Sequence, residues 1–223
     1  MAVFGKLAVW IDPVKRTGPE AMAVDEWLLE TVKIPLLRVY GWQGNWGSLG
    51  YFGKISAARS ALREIEWVRR WTGGGIVDHR ADWTYTLVVP AGESLCQYRG
   101  AESYQMIHRA LCKALKEEID VRLSSGDQQT GADLCFNNPV GHDLVDGEGR
   151  KLAGAGQRRA KSGLLHQGSL ALPCENADSI LRAARFASAL ARQWERVDVT
   201  LSADEIMQKL CGRYADPTWT ERC

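Results

Sequence analysis

Arg69 to Pro90 read RRWTGGGIVDHRADWTYTLVVP, a glycine loop that runs into a strand. Thr84 to Val89 are β-branched, aromatic or aliphatic in succession, and Pro90 stops them because it has no N–H to give a sheet ladder. Ahead of that strand, Gly73, Gly74 and Gly75 let the backbone approach a ligand closely and turn its N–H groups onto an anion or a carbonyl. Arg69 and Arg70 add fixed charge and forked donors. Three glycines also describe a tight surface turn. The loop is no P-loop, since no Gly-Lys-Ser/Thr follows at the required spacing.

Working outward, Leu7 to Ile11 (LAVWI) read as a buried strand, and Gly18-Pro19-Glu20 open a helix with Pro19 in its first turn and Glu20 on its dipole. That helix, AMAVDEWLLETV, sets Met22, Leu28 and Leu29 near one face with Asp25 and Glu26 between them. Pro35 ends it, Leu36 to Tyr40 return as a strand, and a glycine- and aromatic-rich loop covers Gly41 to Phe52. A short helix is expected over Ser56 to Ile65. On the far side, Ala101 to Glu118 form the clearest helix, with Tyr104, Ile107, Leu111, Ala114 and Leu115 repeating at helical spacing. The strands IDVRL, HDLV, KLAGAG and LLHQGSLAL come next, then a helix over Asn176 to Trp194. A last short helix has Ser202 as N-cap and Glu205 in a capping-box pattern. Strands and helices mix without regular βαβ alternation, which predicts an α+β fold with a mixed, mainly antiparallel sheet flanked by helices. No Pro-, Gly- or Ser-rich linker divides residues 1–223, so a single domain is expected.

The formal net charge of +1 shows no bulk pull towards nucleic acid or an anionic membrane. No stretch of about 18 apolar residues occurs, and the N-terminus MAVFGKLAVWIDPVKR has no charged leader with an apolar run, so a cytoplasmic location is expected. Cys96, Cys112, Cys135, Cys174, Cys211 and Cys223 stand singly, without a CxxC pair, and His79, His108, His142 and His166 show no ligand spacing. No metal site follows from them, and chemistry without a cofactor is the default.

Gly149 to Arg159 (GRKLAGAGQRR) carry a second signal. Residues 153 to 156 have almost no side-chain bulk, so something must lie against them, and an apolar acyl chain would fit. Lys151 at the mouth of this tract could polarise a carbonyl or stabilise an oxyanion; a lone lysine at a hairpin end also reads as simply solvated.

Together with AMAVDEWLL, RVYGW, SLGYF, DWTYT and LLHQGSL, these stretches resemble the lipoate–protein ligase A and octanoyltransferase superfamily, whose catalytic domain is related to biotin protein ligases. The motifs run in order from about residue 20 to 172. The resemblance implies that Lys151 contacts the activated acyl group and that Arg70, Gly73, Gly74, Gly75 and His79 surround the acyl chain and its carbonyl, with Thr72 in the same loop. It also implies that Gly154 and His166 line the site, with Ala155 beside them. Two departures stand out. Many relatives read His-Gly-Ser or His-His-Gly-Thr where this chain reads His166-Gln167-Gly168-Ser169, so any role of a second histidine falls on Gln167 or lapses. Asp78 stands where an apolar or aromatic residue is usual.

Two chemistries share the family scaffold: ATP-dependent ligases form a lipoyl-adenylate, and octanoyltransferases pass the acyl group through a cysteine thioester. Cys135-Phe136, sixteen residues before Lys151, resembles the Cys-Phe pair of the cysteine-dependent transferases, DWTYT resembles their pattern, and no additional C-terminal domain is expected. These features favour a transferase that uses Cys135 as nucleophile and Lys151 to lower its pKa; the alternative for Cys135 is a small buried hydrophobe. The stretch His142-Asp143-Leu144-Val145 resembles ligases instead. As a transferase the chain would need no cofactor, and as a ligase ATP and Mg2+. The resemblance implies as partners the lipoyl domains of 2-oxoacid dehydrogenases or the glycine cleavage H protein, and acyl carrier protein, with no nucleic acid and no membrane. A non-catalytic lipoyl-binding scaffold is a third reading, opposed by the presence of Lys151 and the glycine loop. Trp71, beside the glycines, is expected to wall the acyl tunnel.

Overall fold

The computed structural model describes residues 2–126, 140–172 and 176–222. Cys135, Phe136, Cys174 and Cys223 lie outside them. The expected apolar runs form strands: β1 (Phe4–Ile11) leads into helix α1 (Gly18–Thr31), which returns the chain to β2 (Leu36–Tyr40) alongside β1 in parallel. Glu20 closes the start of α1 by accepting from both the backbone N–H and the hydroxyl of Thr17, at 2.9 and 2.7 Å. The segment read as one loop from Gly41 to Phe52 contains a strand, β3 (Trp46–Leu49). Helix α2 (Ile55–Ala61) follows, then β4 (Glu66–Arg69) and β5 (Ile76–Asp78) on either side of the glycines, and these three strands make a small sheet in the order β4-β3-β5.

The rest of the chain completes the main sheet that β1 and β2 begin. β6 (Trp83–Pro90) ends at its proline as expected, and α3 (Gly100–Leu115) precedes β7 (Arg122–Leu123) and β8 (Leu144–Val145). β9 (Lys151–Ala160) and β10 (Gly163–Leu170) form a hairpin, followed by α4 (Asn176–Leu190), β11 (Ala191–Arg196), α5 (Ala203–Lys209) and α6 (Pro217–Glu221). The strand order is β11-β1-β2-β6-β10-β9-β8-β7. It is parallel across β11-β1-β2 and antiparallel from β2 onward. The fold is therefore the mixed, mainly antiparallel α+β class expected.

The period of two assigns each strand residue a face. Tyr85, Leu87 and Val89 of β6 and Leu164 of β10 pack with Ile107 and Leu111 of α3 and Phe186 and Leu190 of α4. Val88 and Leu165 face the other way, against Trp27 and Leu28 of α1. The site lies on this second side.

Three local readings are corrected. The helix expected over Asn176 to Trp194 stops at Leu190, and Ala191–Arg196 pair in parallel with β1. Without them β1 would be an edge with unpaired N–H and C=O groups, a tertiary demand that outweighs helix propensity. α1 has no single apolar face: Ala21 to Leu29 are all buried, including Asp25 and Glu26, because the helix is enclosed by both sheets and the C-terminal segment. At α5, Ser202 makes no side-chain cap, and Glu205 does not close the box back onto it but accepts from the indole N–H of Trp27 at 2.5 Å. Among the described residues no helix is long and apolar enough to cross a membrane. Nor does any group of three or more His, Cys, Asp or Glu residues there lie placed to hold a metal ion.

Candidate active site

On the α1 side of the main sheet, two rows of residues run across four strands. The register aligns Tyr40, Thr84, Ser169 and Gly154 in one row and Arg38, Thr86, Gln167 and Gly156 in the next. Above these rows a narrow pocket is roofed by Met22 of α1, Ser48 and Val77 of the small sheet, His79, Arg70 and Gly74. Gly154, Ala155 and Gly156 complete its floor.

At the Gly154 end sits Lys151. Its side chain folds back along β9, so that a Cβ on Gly154 would stand 2.6 Å from Lys151 Cε and 2.7 Å from Nζ. The ammonium lies 2.6 Å from Asp143 Oδ2, and both side chains are buried. Val140 N–H donates to the same oxygen at 2.8 Å, and the Tyr104 hydroxyl donates to the other through a very short contact. Tyr104 in turn accepts the N–H of Ala155 at 3.0 Å, tying the ion pair to the pocket floor. Burial first, then the charge of Asp143, raises the Tyr104 hydroxyl well above the usual phenol range, so it remains a donor. Lys151 is thus no solvated hairpin lysine. The small-residue tract is filled in part by the protein itself, with Lys151 over Gly154 and Gly73 O against Gly156.

At the other end stands the glycine loop. Gly74 has φ +98°, in the region that favours glycine. Arg70 Nη2 donates to Gly73 O and Gly75 O at 3.2 and 3.0 Å, and Nη1 to Ser48 Oγ at 2.5 Å. Because that guanidinium only donates, the Ser48 proton is left for His79 Nε2 at 2.6 Å, and His79 Nδ1–H then donates to Asp82 Oδ2 at 2.7 Å. Asp82 Oδ2 also accepts from Thr84 at 2.9 Å and from Ser169, whereas its buried Oδ1 has no hydrogen-bond partner among the described residues. Trp42 stacks on the His79 ring at 4.0 Å. The result is a one-directional chain, Arg70 to Ser48 to His79 to Asp82, of the kind whose members polarise one another.

The side wall is held by a third carboxylate. Thr72 Oγ1 donates to Gln167 Oε1 at 2.7 Å, and Gln167 Nε2 donates to Asp25 Oδ2, also at 2.7 Å. Asp25 further accepts from Arg38 at 2.6 Å and Thr86 at 2.7 Å.

Of the residues expected from the sequence, the structure brings Arg70, Gly74, His79, Gly154 and Ala155 to the pocket wall, and Thr72, Gly73, Gly75 and Lys151 directly behind it. His166 goes elsewhere. Strand alternation turns it to the α3 face, where Nε2 meets Tyr85 OH at 3.2 Å and Nδ1 meets Gln157 Nε2 at 3.1 Å. Gln167 takes the pocket face. Beside His166, His108 donates from Nδ1 to the His142 carbonyl at 2.8 Å, and burial lowers its pKa to about 4. Burial, then His108, pushes His166 well below the ordinary histidine range as well. Trp71 does not wall the tunnel; its ring lies between the guanidinium groups of Arg158 and Arg213. Asp78 leaves the pocket undisturbed, because alternation along β5 sends Val77 inward and Asp78 outward to Arg80 at 2.5 Å.

The twin arginines divide their work. Arg69 is fully buried and donates to the carbonyls of Gly50, Tyr51, Gly53, Trp219, Thr220 and Arg222, so it clamps the C-terminal segment to the loop after β3. Only Arg70 reaches the site. Sequence reasoning passed over Ser48, Asp82 and Tyr104. Ser48 lay inside SLGYF and Asp82 heads DWTYT, so the signal for both was proximity to a motif; Tyr104 was indistinguishable from a core residue of its helix.

Residues 17–206 match the family described as lipoyl protein ligase A/B catalytic domain. The chain is 33% identical to octanoyltransferase LipM of Symbiobacterium thermophilum over 178 residues, 73% of this chain and 64% of that protein. It is 31% identical to LipM of Carboxydothermus hydrogenoformans over 198 residues, 84% of this chain and 72% of that protein. Less than two thirds of the first relative's length is therefore spanned. Among solved structures, protein Ta0514 of T. acidophilum with bound lipoic acid superposes with a TM-score of 0.71 at 16% identity, covering 99% of both chains. Lipoate-protein ligase A bound with ATP gives 0.71 at 17% identity, covering 98% of both. At these identities the likeness is one of fold.

Proposed function

The chain belongs to the lipoyl protein ligase A/B catalytic-domain family, and from that premise we propose that it is an acyltransferase of lipoate metabolism. It moves an octanoyl group, or a lipoyl group, onto a lysine of a lipoyl carrier domain through a cysteine thioester. The observation that carries the reading is Lys151, whose ammonium is buried against Asp143 and laid over Gly154 at the end of a narrow pocket. A cation fixed at the carboxyl end of an acyl pocket serves an acyl carbonyl or a thiolate, and solubility needs no such burial. The relatives named octanoyltransferase support the choice of reaction.

Cys135, outside the described residues, is the nucleophile in this reading, on the strength of its Cys-Phe resemblance and its place sixteen residues before Lys151. The Cys135 thiolate, which a cation brought beside it would favour, attacks the carbonyl carbon of an acyl thioester. The C–S bond to the donor breaks, and the donor leaves as thiolate. The neutral amine of the carrier lysine then attacks the acyl-enzyme, the C–S bond to Cys135 breaks, an amide forms, and the amine sheds a proton. Acyl carrier protein is the donor and a lipoyl domain the acceptor. No cofactor takes part, and residues 1–223 act as one catalytic unit in the cytoplasm.

Intact-mass analysis of the purified protein after incubation with octanoyl–acyl carrier protein, without ATP, tests this. A hydroxylamine-labile octanoyl adduct on the wild type, missing from Cys135→Ser, is the expected result. No adduct, with lipoyl-domain modification only when ATP and free lipoate are supplied, would replace the transferase by a ligase and return Cys135 to a packing role.

A further inference from the structure

One wall of the pocket carries a hydroxyl, an imidazole and a carboxylate for which the chemistry above has no use. β3 lies between β4 and β5, and the register sets Ser48 beside Val68 on one strand and Val77 on the other. Arg70 stands two residues beyond Val68 and His79 two beyond Val77, so alternation turns both to the face that carries Ser48. Arg70 Nη1 and His79 Nε2 reach Ser48 Oγ at 2.5 and 2.6 Å, and His79 Nδ1 reaches Asp82 Oδ2 at 2.7 Å. Trp42 lies nearly parallel to the imidazole at 4.0 Å and fixes its plane, and its own indole N–H is held by Thr84 at 2.8 Å. With the ring proton on Nδ1, Ser48 donates to Nε2 and Asp82 holds that tautomer.

Hydroxyl to imidazole to carboxylate is the arrangement that makes a serine nucleophilic, and it is known by geometry and roles rather than by place in the chain. All three side chains are buried, yet Ser48 and His79 both line the pocket. Arg70 takes one lone pair of Ser48 Oγ and His79 takes its proton, which leaves the second lone pair for an electrophile. The charges separate this wall from the other two. Asp25 pairs with Arg38, and Asp143 with Lys151. Asp82 pairs with no lysine or arginine among the described residues; its ionic partner there is His79, and its buried Oδ1 has no hydrogen-bond partner. A wall that needed only rigidity would bury such a carboxylate at a cost. The charge is answered when His79 takes up the Ser48 proton, and that is what attack by Oγ requires.

We propose that Ser48 is a second nucleophile of this pocket, through which the chain hydrolyses acyl thioesters, with His79 as its base and Asp82 positioning His79. The activity stands whether Cys135 or ATP activates the acyl group in the main reaction. Ser48 Oγ attacks the carbonyl carbon while its proton passes to His79 Nε2, and the nearby Arg70 offsets the charge that builds as the bond forms. The C–S bond breaks, and the leaving thiolate takes the proton from His79. Water then attacks the serine ester and gives a proton to His79. The bond from the acyl carbon to Oγ breaks, and Ser48 recovers that proton. The sum is thioester and water to thiol and carboxylic acid.

The test treats the full chain with an octyl fluorophosphonate, from whose phosphorus an activated serine displaces fluoride. The wild type is expected to gain a phosphonyl group that tandem mass spectrometry maps to Ser48, and protein unfolded in urea to gain none there. Asp82→Asn keeps the shape of the wall and removes the charge; it should lower kinact by at least about a hundredfold with KI within about twofold, the pattern of a lost tautomer. The wild type should also hydrolyse S-octanoyl-N-acetylcysteamine to octanoate and thiol, and Ser48→Ala should lose at least about tenfold in that rate. The wild-type label needs no variant to be read, and its absence from Ser48 overturns the proposal. So does equal labelling in Asp82→Asn, a KI that rises at constant kinact, or hydrolysis that survives Ser48→Ala. Neutral hydroxylamine removes a thioester on Cys135 and leaves an oxygen ester on Ser48, so each adduct is read separately. If Ser48 is labelled and no Cys135 adduct forms, the transferase reading fails and the Ser48 activity stands.

Discussion

Gly154→Ala isolates the role of Lys151 without touching it. A Cβ at this position would meet Lys151 Cε at 2.6 Å and Nζ at 2.7 Å, with Asp143 Oδ1 at 3.4 Å. Non-bonded carbon contacts sit near 3.5–4.0 Å, so the lysine chain must retreat by about 1 Å. It can do so cheaply, since the obstructing atoms are the far end of a flexible side chain, and the backbone need not move. The cost to stability should therefore stay near or below about 1 kcal/mol. If Lys151 serves the acyl carbonyl as proposed, the same shift is severe for the reaction: the ammonium pivots on its ion pair with Asp143, and a misplacement of about 1 Å at a catalytic group costs on the order of a hundredfold in rate. Octanoyl transfer to a lipoyl domain, followed by mass spectrometry, should fall by about that factor in kcat while urea unfolding barely changes. Activity within about threefold of wild type would show that the position of Lys151 over Gly154 is incidental, and the reasoning from the site would fail.

Other perturbations give separate tests. His108 is held neutral, its pKa lowered from 6.5 to about 4 by burial. The unfolded chain therefore binds the proton that the folded chain refuses, and stability present above pH 6.5 is lost on the way down to about pH 4. Integrating that window gives about 2 kcal/mol lost between pH 7.5 and pH 5, and His108→Gln should flatten the slope; equal slopes would refute the assignment. Arg69→Met leaves six backbone carbonyls without their shared donor. It should cost at least about 3 kcal/mol in urea unfolding, and a loss under about 1 kcal/mol would contradict the clamp. Trp71→Ala should leave acyl-chain-length preference unchanged, because Arg158 and Arg213 hold the ring off the pocket wall, whereas Met22→Ala, which deepens the pocket, should shift preference towards longer chains.

What the sequence made legible follows the range of the forces involved. Local signals carried well: Pro90 ends β6, Pro19 starts α1, and the 3.6-residue repeat from Tyr104 to Leu115 gives α3. Period two could also have told which of two neighbouring residues enters the site. On β10, Leu165, Gln167 and Ser169 share one face and His166 the other, so an assignment to His166 by motif was bound to conflict with an assignment by alternation. The edge strand β11 was hidden because Ala191 to Arg196 read as helix on their own and become strand only where β1 has an edge to cover. The division of labour between Arg69 and Arg70 was equally invisible. Arg69 ends β4 and Arg70 follows it, so their side chains leave in opposite directions, and which of them reaches the pocket wall depends on the small sheet, whose strands were not foreseen.

The pairs that hold the pocket lie furthest from a local reading, and they share one logic. Each wall ends on a buried carboxylate brought from a different element: Asp143 behind Lys151, Asp82 behind His79 and Ser48, Asp25 behind Gln167 and Thr72. Taken singly, Asp25 looks like a misplaced charge in an apolar helix and Asp82 like a turn residue. In the fold each accepts several hydrogen bonds and so fixes several side chains at once, which a neutral acceptor would do less strongly. Burying them is costly, and they are tolerated because Arg38, Arg70 and Lys151 stand within the same networks. A pocket built this way has its polar groups oriented before any ligand arrives. A ligand entering it would meet Met22, Val77 and the glycines, and the energy of orienting those polar groups would not be drawn from binding.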